Sequence, residues 1–124
     1  MATLGEIMSG ELITVTPNTT VAEAATVMGG NRVGSALVMT DDQLHGIFTE
    51  RDIVRALSQD FDAPGQPVAH WMSREVRTVS PGTSVQEGLD LMLTNNFRHL
   101  PVVEGDKIVG IVSMRDLTRA ATGG

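Results

Sequence analysis

Gly46-Ile47-Phe48-Thr49-Glu50-Arg51-Asp52 returns 64 residues later as Gly110-Ile111-Val112-Ser113-Met114-Arg115-Asp116. Each stretch runs from a glycine through two apolar residues to a hydroxyl side chain and then, three residues on, to an aspartate. That pattern places a strand before the hydroxyl and a helix after it, with the hydroxyl at the junction.

The same offset aligns the chain well beyond this stretch. Residues 7–56 fall on residues 71–120 without a gap, setting Met8-Ser9 on Met72-Ser73, Thr14-Val15 on Thr78-Val79 and Pro17 on Pro81. Val21 meets Val85, Glu23 meets Glu87, Met28 meets Met92 and Asn31 meets Asn95. A register kept through loops as well as apolar positions is the mark of a duplicated unit. The chain therefore divides into a first repeat, residues 1–58, a joint, 59–68, and a second repeat, 69–124. The joint carries Pro64, Gly65 and Pro67, which interrupt helix and strand alike, and it reads as a linker.

Each repeat shows one order of elements. Short strands at 13–15 and 77–79 stop before Pro17 and Pro81. Thr20 with Glu23, and Ser84 with Glu87, have the spacing of reciprocal capping boxes. The helices that follow run to about Met28 and Asn95, and Gly29-Gly30 reads as a stop in the first. Strand pairs come next, 36–39 with 44–49 and 100–103 with 108–113, turning at Asp41-Asp42 and Gly105-Asp106. Helices at 50–57 and 114–121 close the units. The fold class is α/β, with β-α-β-β-α twice. Each unit has one apolar sheet face to hide, which predicts packing through the sheets with pseudo-twofold symmetry.

Composition narrows the function. Apolar residues make up 41% of the 124 positions but aromatics only 3%, so the core is aliphatic. Nine basic residues against fifteen acidic ones give a net charge of −6, which disfavours nucleic acid as a partner while leaving room for a local phosphate pocket. There is no cysteine for a disulfide or thiolate site. No apolar run is long enough to span a membrane and no secretory leader opens the sequence, so a cytoplasmic protein is expected. His45 aligns with Val109 and His70 with Glu6, so neither position calls for imidazole in both copies, and no metal site is expected. No hydrolase elbow, phosphate-binding Walker loop or zinc-protease motif is present, which argues against an enzyme. The methionine pairs Met8/Met72 and Met28/Met92, and the single Trp71, read as packing residues.

The Gly-to-Asp stretches, together with Leu100-Pro101-Val102-Val103 and the Thr14-Val15 and Thr78-Val79 segments, resemble the signature of the cystathionine-β-synthase (CBS) domain. The resemblance covers residues 7–120 and implies a stand-alone pair of CBS domains. It implies a regulatory module holding an adenosyl small molecule, AMP, ADP, ATP or S-adenosylmethionine, in clefts between the repeats, with no certain cofactor. Carried over by position, Asp52 and Asp116 would bond ribose hydroxyls, and Thr49 and Ser113 would lie near the ribose or phosphates. Residues 14–16 and 78–80, ending in Thr16 and Ser80, would flank the base. Arg98 and His99 would face a phosphate opposite Asp52, while Asp116 would face uncharged Gly34 and Ser35. Residue by residue, each pattern has a plainer reading as well. Hydroxyl-x-x-Asp is also a helix cap, and Arg98-His99 is also an exposed pair at a strand start. Arg51, Arg55, Arg115 and Arg119 read as charged helix faces. Apolar residues around much of helix 85–93 imply a homodimer, and the regulatory reading implies an effector protein of unknown identity. The alternative function is a ligand-free structural or oligomerisation domain.

Overall fold

The computed structural model describes residues 2–122 and has the mixed α/β class with two repeats. In chain order the elements are α1 (Leu4–Ile7), β1 (Thr14–Val15), α2 (Val21–Asn31), β2 (Ser35–Thr40), β3 (Gln43–Thr49) and α3 (Glu50–Gln59). Two single 3-10 turns follow, Ala63–Gly65 and Val68–His70. Then come α4 (Val85–Asn95), β4 (His99–Glu104), β5 (Lys107–Ser113) and α5 (Met114–Ala121). No described helix is long and apolar enough to cross a membrane.

Contacts divide the chain into two units: one is Ile13–Val76, and the other joins the residues up to Leu12 to those from Arg77 onward. The folded units and the sequence repeats are thus different divisions of the chain. In the first unit β1 pairs in parallel with β2, and β2 pairs antiparallel with β3, from Ser35 opposite Thr49 to Thr40 opposite Gln43. Asp41, at φ 52°, makes the hairpin turn, a conformation that aspartate tolerates. Val21, Ala24 and Met28 of α2 and Ala56 of α3 bury against Ala36, Val38 and Phe48 of the sheet. Short aliphatics and two methionines fill this core around Phe48 and Trp71.

The joint is part of that core. Ala63 and Val68 are fully buried, and the Val21 N–H bonds the Gln66 carbonyl at 2.9 Å while the Val68 N–H bonds that of Thr19 at 2.8 Å. Its prolines do break helix and strand, as the sequence implies, but the result is two tight turns packed on α2. Beyond them Ser73 exchanges backbone hydrogen bonds with Ile47 of β3, at 2.9 and 3.0 Å.

The second unit repeats the plan. Leu4, fully buried, packs with Val85, Met92, Leu100, Val112 and Leu117, and Ser9 exchanges two 3.0 Å backbone bonds with Ile111 of β5. Two expectations need correction. Residues 77–79 form no strand, only a single bridge from Val79 to Val102. In the first unit the Leu37 N–H donates to the Ile13 carbonyl at 2.9 Å. The residue matching Leu37 is Pro101, which has no N–H to give to Arg77, so the ladder shortens. The second correction concerns α2, which passes through Gly29-Gly30 and ends at Asn31. Its stop is Arg32 in the left-handed region, φ 55°, with the Val33 N–H returning to the Met28 carbonyl. Asn96, at φ 59°, ends α4 in the same way.

Candidate functional site

The hydroxyl-x-x-Asp stretches lie at the two strand-to-helix junctions. Thr49 is the N-cap of α3: its Oγ1 accepts the Asp52 N–H at 3.3 Å, and Asp52 Oδ2 accepts the Thr49 N–H at 2.9 Å and its hydroxyl at 3.1 Å. Ser113 is the N-cap of α5, with the Asp116 N–H on its Oγ at 3.1 Å and its own N–H on Asp116 Oδ2 at 3.0 Å. Both aspartates therefore close capping boxes, and each spends one carboxylate oxygen on doing so.

The second oxygens differ. Asp52, 8% exposed, has Oδ1 taken by Arg55 Nη2 at 3.3 Å. The same Nη2 donates to the Trp71 carbonyl at 2.6 Å, and the guanidinium lies over the Trp71 ring, 5.4 Å from its centroid. The indole is fixed in turn: its Nε1 donates to Gln66 Oε1 at 2.9 Å, and Gln66 Nε2 donates to Asp60 Oδ2 at 2.7 Å. The backbone N–H of Asp62 and the Gln66 amide, helped by nearby His70, hold the Asp60 carboxyl below its ordinary range. At Asp116 nothing comparable exists. Arg119, which matches Arg55, is exposed, and Oδ1 of Asp116 has no hydrogen-bond partner among the described residues.

Arg98 and His99 lie in the same unit as Ser113 and Asp116. His99 is the register partner of Ser113, and the Arg98 carbonyl accepts the Met114 N–H at 2.8 Å. Arg98 is exposed and His99 half-buried. Gly34 and Ser35 stand correspondingly beside Thr49: the Glu50 N–H bonds the Gly34 carbonyl at 3.0 Å.

Thr16 and Ser80 are not brought to these junctions within their own units. Val15 pairs with Val38, three rungs from the Ser35–Thr49 pair. Thr16 is one residue further on, so roughly 13 Å of strand separates it from Thr49. It takes part in a turn instead, its N–H on Thr19 Oγ1 at 3.1 Å, and Ser80 contacts the Thr83 hydroxyl at 3.2 Å in the matching turn.

Reading residues singly left Arg55 as a surface charge and Trp71 as packing. The spacing of three between Asp52 and Arg55 was the available signal, since residues three apart share a helix face. Nothing in the sequence signals the carbonyl of Trp71, sixteen residues away.

The profile of the CBS domain matches residues 4–59 and again 68–123. An uncharacterised 17.7 kDa protein of the bps2 3' region of Acidianus ambivalens is 44% identical over 124 residues, covering 97% of this chain and 74% of that one. Among solved structures, the CBS domain pair of protein MJ0100, in complex with 5'-methylthioadenosine and S-adenosyl-L-methionine, is 27% identical. Its TM-score is 0.90, over 99% of this chain and 98% of that one. CBSX2 in complex with AMP is 26% identical with a TM-score of 0.83, over the same shares of the two chains. Two full profile matches, spanning the elements and both junctions, make this chain a member of the CBS domain family that carries the domain in tandem.

Proposed function

We propose that the chain is a regulatory, non-catalytic module that binds an adenosyl small molecule, with AMP, ADP, ATP and S-adenosylmethionine as the candidates, and signals to an effector protein. The observation that carries this reading is the Asp116 carboxylate. One oxygen is anchored by the Ser113 N–H, and the other has no partner among the described residues. A carboxylate so held accepts hydrogen bonds from a ribose diol, and the positive dipole end of α5 suits a phosphate. Arg98 and His99 are assigned to a phosphate, and Thr16 and Ser80 to the base. Thr49 and Asp52 are the corresponding pair in the first repeat. The bound ligands named for MJ0100 and CBSX2 share an adenosine core, which supports the class.

Thermal unfolding tests it, because a ligand that binds only the folded state raises the melting temperature. AMP, ATP or S-adenosylmethionine should do so at millimolar concentration, and guanosine or cytidine nucleotides less. No shift with any adenosyl compound overturns the reading.

The reciprocal caps favour a second reading, since both aspartates already serve a purely structural purpose. A ligand-free oligomerisation domain would keep the caps and ignore nucleotides. Either reading is compatible with a homodimer formed through α4, where Leu93 is 65% exposed. Sedimentation at micromolar concentration should give twice the chain mass, and Leu93→Glu should return it to the monomer.

A further inference from the structure

The two helix-opening aspartates are alike in sequence and unlike in surroundings, and the difference traces to the segment joining the repeats. Asp52 meets Arg55, Arg55 meets the carbonyl and ring of Trp71, and Trp71 is held through Gln66 to Asp60. Asp60 and Gln66 belong to the joint, and at the offset of 64 the folded unit that contains Asp116 has Ile7 in place of Trp71 and Ala2 in place of Gln66. Arg119 consequently has no indole to lie on. An ordinary i, i+3 pair on a helix surface would have only its own two partners. Arg55 has three, and one of them is a buried aspartate whose remaining acceptor it fills.

We propose that Arg55 is a built-in competitor for Asp52, occupying the carboxylate oxygen that a ribose diol needs, so that Asp116 fills first and Asp52 takes a ligand only once Arg55 leaves. This rests on the nucleotide reading above. The latch is weak by construction: the Arg55 side chain is 44% exposed, so its pair with Asp52 is screened by water. A contact of that kind changes an affinity by about fivefold. The consequence is a graded response, with one site answering to low ligand and the other to higher ligand.

The test uses AMP and calorimetry in an Asp116→Asn background, where the Asp116 site is weakened and the Asp52 site is fitted as a separate class. Adding Arg55→Met, which keeps an aliphatic stem on the indole, should tighten AMP by about fivefold. Adding Arg119→Met instead should leave the affinity unchanged. Trp71→Phe loosens the seat without removing Arg55 and should tighten AMP by less. Trp71 is the only tryptophan, so its emission should shift as AMP displaces Arg55, and that shift should vanish with Arg55→Met. Equal AMP affinity with and without Arg55 overturns the competition and leaves the nucleotide reading standing. No AMP uptake by the wild-type protein or any variant overturns the nucleotide reading, and the competition falls with it.

Discussion

Gly110 is pressed against Met8: a β-carbon on the glycine would stand 2.8 Å from Met8 Cγ and 2.9 Å from the Ser9 carbonyl. Gly46 has the same relationship to the other crossing segment, 2.5 Å from the Ser73 carbonyl and 2.9 Å from Met72 Sδ. Any side chain at either position must push backbone off the strand edge. Gly110→Ala and Gly46→Ala should each lose about 1–3 kcal/mol in urea unfolding. Gly46→Ala should lose more, because its nearest obstacle is backbone rather than a flexible thioether.

Leu4 lies at the start of the chain yet is completely buried among residues of the second repeat. Leu4→Ala should therefore cost about 2–5 kcal/mol, as in a central core position. Phe61→Ala, at a 96% exposed site, should stay within about 0.5 kcal/mol by the same measurement.

Arg32 ends α2 with φ 55°, a region that disfavours a side chain with a β-carbon. Arg32→Gly should stabilise the protein by about 0.5–1 kcal/mol, read as a higher denaturation midpoint at unchanged slope. Destabilisation would mean that the arginine side chain contributes something its backbone conformation does not reveal.

Asp116→Asn separates capping from binding. The amide oxygen still accepts the Ser113 N–H, so stability should fall by less than about 1 kcal/mol. An amide is a poorer acceptor for a diol than a carboxylate, so AMP affinity at that site should fall about tenfold or more.

Asp60 gives a pH signature with a definite sign. Its carboxyl is held below the ordinary 3.8, so the folded state favours the charged form more than the unfolded chain does. The stabilisation is complete above that ordinary value and is lost as pH falls through the lower, folded one. Asp60→Asn should flatten the acid limb of a melting-temperature profile below about pH 4 and leave the neutral region with a constant offset. An unchanged acid limb would rule out this contribution.

Much of the fold could be read from the chain because the repeat doubles every local signal. The caps at Thr20, Thr49 and Ser113 are where the hydroxyl-to-carboxylate spacing put them. Strand pairs and closing helices fall within a residue or two of expectation, and Met28, Met92 and Trp71 pack as read. At Ser84 only half of the expected box forms, with the Glu87 N–H on the serine hydroxyl. What escaped the sequence depends on partners far along the chain. The absent strand at 77–79 required knowing that Pro101 would stand opposite. The role of Arg55 required a backbone carbonyl, which carries no signal of its own. Glycine suits the left-handed region, so Gly29-Gly30 reads as the helix stop, but the position that adopts that conformation is Arg32.

The exchange of leading segments has a consequence for how the protein is made. Everything the Ile13–Val76 unit contains is available once Val76 has left the ribosome. Leu4, Met8 and Ser9 emerge ahead of that unit, yet their neighbours Leu117, Gly110 and Ile111 emerge more than a hundred residues after them. At ordinary rates of synthesis the opening segment waits roughly 5–20 s with its leucine exposed and its strand edge unpaired. The first unit can close around its own core during that time, so a segment made before it finds its place after it.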